Sequence, residues 1–160
     1  MILFLRRDLI ILLVTVTLWL LTPEFQTLSL PAAIGAVLCA FQFHEWGHWL
    51  GGRRVQAVMT PASVWWSPFL FQFDGRANSR QQFLHMSWPG FVATALFIAC
   101  FEWGLPAGHP STALTQDIGR FLAGITVVIE GPLALWTLLG GRVPPVPVWL
   151  PGRRKSTGED

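Results

Sequence analysis

The chain has 160 residues, 52 % of them hydrophobic and only 12 % charged, with a formal net charge of +2. A soluble domain carries about 25 % charged residues, so this balance excludes an ordinary soluble domain and predicts a small, single-domain, all-α membrane protein. The charge is too small for a nucleic-acid partner, and no basic patch interleaves with aromatics.

Residues 1–8 are a short basic start containing Arg6 and Arg7, and residues 9–21 are apolar until Thr22-Pro23-Glu24. No small-residue cleavage site follows Leu21, so a retained anchor is expected rather than a cleaved signal. The run is short for a span, so the first span is drawn over about 2–21, with the arginines snorkelling to the interface. The second span covers about 28–50 and stops at Gly51-Gly52-Arg53-Arg54. Pro61 and Pro68 interrupt the next stretch, residues 55–82. Within it, Val64-Trp65-Trp66 and Phe69-Leu70-Phe71-Gln72-Phe73 read as strand-like or interfacial pieces, and Asp74-Gly75 reads as a turn. This apolar loop is expected either to be partly strand-like or re-entrant beside the second span, or to be an amphipathic connector.

A third span is expected over about 83–105, kinked near Pro89-Gly90, with Gly90, Ala93, Thr94 and Ala95 permitting close helix approach. Residues 106–116 form a polar loop, and the fourth span, about 118–139, carries Glu130. Pro144, Pro145, Pro147 and Pro151 predict an extended segment. The membrane domain is therefore drawn over 1–150 and a polar disordered tail over 151–160. Cys39 and Cys100 fall inside spans and are read as small packing residues. There are nine Trp and no Tyr, and seven of the Trp fall near span ends, as an interfacial belt requires. The basic residues lie on one side of this four-span scheme, and loops 22–27 and 106–117 contain none. Both termini and the 51–82 loop are therefore expected in the cytoplasm, with the protein in the cell membrane. Arg120 alone departs from the pattern.

The chemistry centres on Phe41–Leu50, FQFHEWGHWL, which contains His44-Glu45-Trp46-Gly47-His48. On a helix, residues four apart share a face, so both imidazoles can address one ion. Two histidines leave room for a third ligand and a water, and Glu45 stands in place to act as general base. The motif also arises by chance in soluble helices. Inside an apolar run, however, three ionisable residues are costly and point to function.

The stretch HEWGHWLGGRRVQAV resembles the HExxH-x-L-x-x-R-R-x-x-x-x-V segment of the site-2-protease-like family of intramembrane zinc metalloproteases. The resemblance implies a three-helix core with the motif on its first helix, a Zn2+ cofactor and cleavage of membrane-spanning protein or peptide substrates. It also implies a GPxxN stretch on the next helix and an Asp ligand in an LDG motif. This chain departs at both places. It has Trp88-Pro89-Gly90-Phe91-Val92-Ala93-Thr94, without the Asn, and only Asp117-Ile118-Gly119-Arg120 as an echo of the aspartate segment. It is read as a divergent, minimal relative.

Depth ranks the candidates for the third ligand. Counting at 1.5 Å per residue from Arg53, His44 lies about 14 Å and His48 about 8 Å into the membrane. Counting from Arg142, Glu130 lies about 18 Å deep and Asp117 about 38 Å away, at the opposite face. For straight helices Glu130 reaches the histidines. Asp117 is the alternative, and needs residues 106–117 to plunge inward. Glu102, near the outer end of the third span, is too far.

The leading expectation is a zinc-dependent intramembrane endopeptidase with His44, His48 and Glu130 as ligands and Glu45 as base. A substrate helix would unwind, and the 55–73 loop could hold it as an added strand. The alternative is a non-catalytic metal-binding scaffold or regulatory partner. A metal transporter is a weaker option, since one His-rich spot does not describe a pathway.

Overall fold

A computed structural model describes residues 1–144. The segment after Pro144 and the tail over 151–160 lie outside the described residues. Four long helices occur in order: α1 (Ile2–Leu21), α2 (Ser29–Arg54), α3 (Arg80–Ala99) and α4 (Thr112–Leu138). Two short strands, β1 (Met59–Pro61) and β2 (Phe71–Phe73), fall between α2 and α3.

Among the described residues, three helical segments are long and apolar enough to cross a membrane: Gln26–Arg54, Arg80–Gly104 and Thr112–Leu138. α1 has a comparable length, 20 residues, but its first two turns contain Arg6, Arg7 and Asp8. Arg6 is exposed, but Arg7 does not snorkel: it is buried, its guanidinium donating to the carbonyls of Trp65 and Ser67. The expectation for Arg7 is thereby corrected, because a guanidinium inside the fold can be satisfied by backbone carbonyls as well as by water.

α2 is the central helix and packs on the other three. It runs four residues beyond the expected stop because Gly51 lies against α3. A Cβ there would stand 2.5 Å from the His85 carbonyl oxygen, so only glycine admits this crossing. The helix ends instead in a Schellman arrangement. Gln56 takes the left-handed conformation, with φ 53°. The Ala57 N–H donates to Gly52 O at 2.9 Å, and the Gln56 N–H donates to Arg53 O at 3.2 Å.

The hairpin pairs Met59 with Phe73, Thr60 with Gln72 and Pro61 with Phe71, antiparallel. The strand expected at Phe69–Phe73 is thus seen over Phe71–Phe73. Of the strand-like and interfacial readings of Val64-Trp65-Trp66, the strand-like one does not hold: it is a bend and turn with both Trp exposed, and Phe71–Phe73 pairs with Met59–Pro61 instead. The reason is local: proline has no N–H for a ladder, so Pro61 ends one strand, and the chain turns before Pro68. Phe71 and Phe73 pack with Phe4, Leu70, Phe83 and Met86, so the hairpin sits on α3 and on the start of α1. Asn78 secures it, donating to Val58 O at 2.9 Å and Asp74 O at 2.8 Å and accepting from Val58 N at 2.7 Å. The Asp74 carboxylate accepts from Arg76 N at 2.8 Å, which makes the expected turn an Asx-turn. α3 then starts on a capping box, with Ser79 and Gln82 each accepting the other's backbone N–H.

α4 begins at Thr112, six residues earlier than expected, so part of the polar loop is its first turn. Its buried positions are Thr112, Thr115, Gly119, Thr126 and Thr137, small residues that allow close approach. The hydroxyls of Thr115, Thr126 and Thr137 are satisfied by the carbonyls four residues back. At the far end of the bundle, Arg120 pairs with Glu102 at 2.6 Å and Asp117 at 3.1 Å, which accounts for this one arginine away from the others.

Candidate metal centre

His44 and His48 project from one face of α2 with their rings 4.3 Å apart. Both are buried, 2 % and 6 % exposed. Glu130 reaches them from α4. His44 Nε2 lies 3.1 Å from Glu130 Oε1, His48 Nε2 lies 3.2 Å from Oε2, and the two Nε2 atoms are 2.9 Å apart. Among the described residues these three form a group able to hold a metal ion.

The hydrogen bonds on the far side of each ring decide what the near side offers. His44 Nδ1 stands 3.0 Å from Gly90 O and 2.9 Å from Thr94 Oγ1. His48 Nδ1 stands 3.0 Å from Met86 O. A carbonyl can only accept, so both Nδ1 atoms carry the proton and donate it. In neutral imidazoles the Nε2 atoms are then bare lone pairs. They face each other and the two oxygens of a carboxylate, so four potential donor atoms converge, to be bridged by a single shared proton or by a metal cation. Protonating both rings would set two N–H groups head-on across 2.9 Å. A single cation resolves the conflict for all three side chains, and carbonyl-oriented histidines are the usual support of a metal ligand. Donors ~2 Å from one ion at tetrahedral angles stand about 3.3 Å apart, close to the three separations seen.

α3 supplies this support because of its own sequence. Met86, Gly90 and Thr94 are spaced by four, the same interval as His44 and His48, so two matching stripes face each other. Gly90 is essential to the fit, because a Cβ there would overlap the His48 ring. Gly47 brings the backbones together, its missing Cβ lying 2.7 Å from Pro89 O.

Glu45 is also buried, and its Oε2 accepts the Leu70 N–H at 3.3 Å. It therefore faces the segment entering β2. Phe41 closes this side, packing against the His44 ring at 6.3 Å and edge-on to Phe69 at 6.2 Å.

The structure brings His44, His48 and Glu130 together and leaves Asp117 apart. Asp117 lies 13 residues earlier on α4, about 20 Å along the helix, largely exposed and paired with Arg120. Glu102 shares that arginine. Sequence reasoning did not find the Gly90 and Met86 carbonyls, since backbone acceptors have no residue signature. Thr94 was visible only as a small residue. The contacts of Arg7 and Asp8 were missed too: a buried cation near the chain start resembles a snorkelling one until its partners are seen.

No protein-family model, no curated protein and no solved structure matches this chain.

Proposed function

We propose that this chain is a zinc-dependent intramembrane endopeptidase, with His44, His48 and Glu130 as metal ligands and Glu45 as general base. The observation that carries the reading is the convergence of two histidine Nε2 atoms and one carboxylate inside an apolar helix bundle, one residue away from a second buried carboxylate. Two histidines and a glutamate are a known catalytic zinc donor set with an open position. Zinc held by them supplies Lewis acidity, polarising a carbonyl and making water ionise near neutral pH.

The rest falls to the chain's own residues. Glu45 takes the proton from the attacking water and passes it to the departing amine. Its carboxylate is oriented for this by the Leu70 N–H. Phe41 and Phe69 form an apolar wall beside it and limit bulk water. A peptide bond in an intact membrane helix is closed off by its own hydrogen bonds, so the substrate segment must unwind. The β1–β2 hairpin lies beside Glu45, which supports its role as the strand that holds such a segment.

We further propose a fourth span, α1, and an orientation with the arginine-rich end in the cytoplasm. Arg53 and Arg54 at the end of α2, Arg80 at the start of α3, and Arg76 and Arg142 in the adjoining loops are all exposed and belong to the same end of an alternating bundle. A reporter fused after Arg76 should read as cytoplasmic, and an extracytoplasmic signal would contradict the scheme. The function itself is tested with purified protein in lipid vesicles containing a membrane-spanning peptide. Wild type should release product and Glu45→Gln should not. Metal-loaded wild type that releases no product from any such peptide would leave the scaffold reading in its place.

A further inference from the structure

Arg7 is 9 % exposed near the start of a mostly apolar helix, an expensive place for a cation unless it is paired and hydrogen-bonded. Its Nε donates to Asp8 Oδ1 at 2.7 Å. Its Nη1 donates to Trp65 O at 3.1 Å and to Ser67 O. The guanidinium also lies 5.1 Å from the centre of the Phe4 ring. The other oxygen of Asp8 accepts the Trp46 indole N–H at 2.7 Å. Trp46 is the residue after Glu45 in the motif, and Glu45 accepts the N–H of Leu70.

These bonds close a ring. The 62–70 segment has no strand or helix of its own between β1 and β2. It is tied at Leu70 directly to Glu45, and at Trp65 and Ser67 through Arg7 and Asp8 to Trp46. Both ties thus end on neighbouring residues of the same motif. We infer that Arg7 is a positioning residue for the proposed reaction: by gripping the Trp65 and Ser67 carbonyls it holds the 62–70 segment where the Leu70 N–H orients the Glu45 carboxylate. The inference rests on the base role proposed for Glu45. Arginine suits the task because its planar fork can serve two carbonyls and a carboxylate at once, which a single ammonium matches poorly. α1 is then more than an anchor, because its first turns reach the chemistry through the loop.

The test uses the full-length protein in vesicles with Arg7→Gln, and reads three quantities: amide hydrogen exchange, bound metal, and kcat with KM on a membrane-spanning peptide. Exchange over residues 62–70 should accelerate at least about tenfold, because the charge-assisted bonds to the Trp65 and Ser67 carbonyls are lost together, while α3 stays as protected as in wild type. Bound metal should not change. kcat should fall about tenfold with KM nearly constant, because the loss is in orienting the base. Arg7→Lys should recover part of both effects. Unchanged exchange over 62–70 would overturn the inference, as would faster exchange across the whole chain with loss of metal. If Arg7→Gln does not fold, Trp46→Phe decides. It removes the indole donor to Asp8, along with part of the ring that packs on the hairpin cluster, and should move exchange over 62–70 in the same direction; no movement there refutes the ring. Exchange needs no substrate, so a chain that cleaves nothing would defeat the protease reading while this measurement still decides the role of Arg7.

Discussion

Glu130→Gln should lose metal affinity by more than about 100-fold, while Asp117→Asn should keep it. A supporting partner outside the metal's own ligands is worth about 10–100-fold, and in the proposed site Glu130 would supply a ligand oxygen directly. Its two oxygens stand 3.1 and 3.2 Å from the two histidine Nε2 atoms. The glutamine amide keeps the size but removes the charge, and can present an N–H group where a lone pair is needed. Asp117 instead shares Arg120 with Glu102 on an exposed surface. An exposed ion pair contributes about 0–1 kcal/mol, so its neutralisation should cost little stability and no metal. The check is titration of both purified variants with zinc under a competing chelator. Loss of metal in Asp117→Asn with retention in Glu130→Gln would mean that α4 does not present the face described here.

Glu45→Gln should reduce cleavage of a membrane-spanning peptide by roughly 10²–10⁴-fold, the usual worth of a positioned general acid–base group. Metal content should remain that of wild type. The separation of the two effects follows from the geometry. The Glu45 carboxylate accepts the Leu70 N–H, and Glu45 stands outside the group of three donors. The glutamine carbonyl can still accept that N–H, so the loop stays in place while proton transfer stops. Single-turnover cleavage on metal-loaded protein measures this directly. A wild-type rate in the variant would remove Glu45 from the mechanism, and loss of metal together with activity would make it a ligand or a structural residue instead.

Much of the site was legible in the sequence because its logic is local or one-dimensional. His44 and His48 are four apart on a single helix, so their common face follows from helix geometry alone. Placing Glu130 needed one more step: counting residues from arginines at a common end converts position into depth. α4 is helical from Thr112 to Leu138, with Pro132 accommodated inside it, so the order of Glu130 and Asp117 along the helix follows from the count, while the four residues from Leu139 to Arg142 at which the count began lie outside the helix. The hairpin was harder. Phe71 and Phe73 alternate with Gln72 as a half-buried strand should, and that strand was expected. Its partner Met59–Pro61 was not, because three residues ending in proline carry little strand signal, whereas Val64-Trp65-Trp66 carries a strong one and is a turn. There β-propensity lost to the geometry of closing a hairpin between Pro61 and Pro68. The end of α2 shows a similar conflict. Two glycines suggested a stop, but here they serve packing, and the helix runs on to a left-handed Gln56. The support for the histidines was beyond reach, since it consists of backbone oxygens on another helix.

The most direct test of the metal centre is the metal content of the wild-type chain, purified in mild detergent without chelator and measured by elemental mass spectrometry. Close to one zinc per chain is expected, falling to background in His44→Ala and in His48→Ala. A folded wild-type protein that carries no metal and takes up none when zinc is supplied would contradict it.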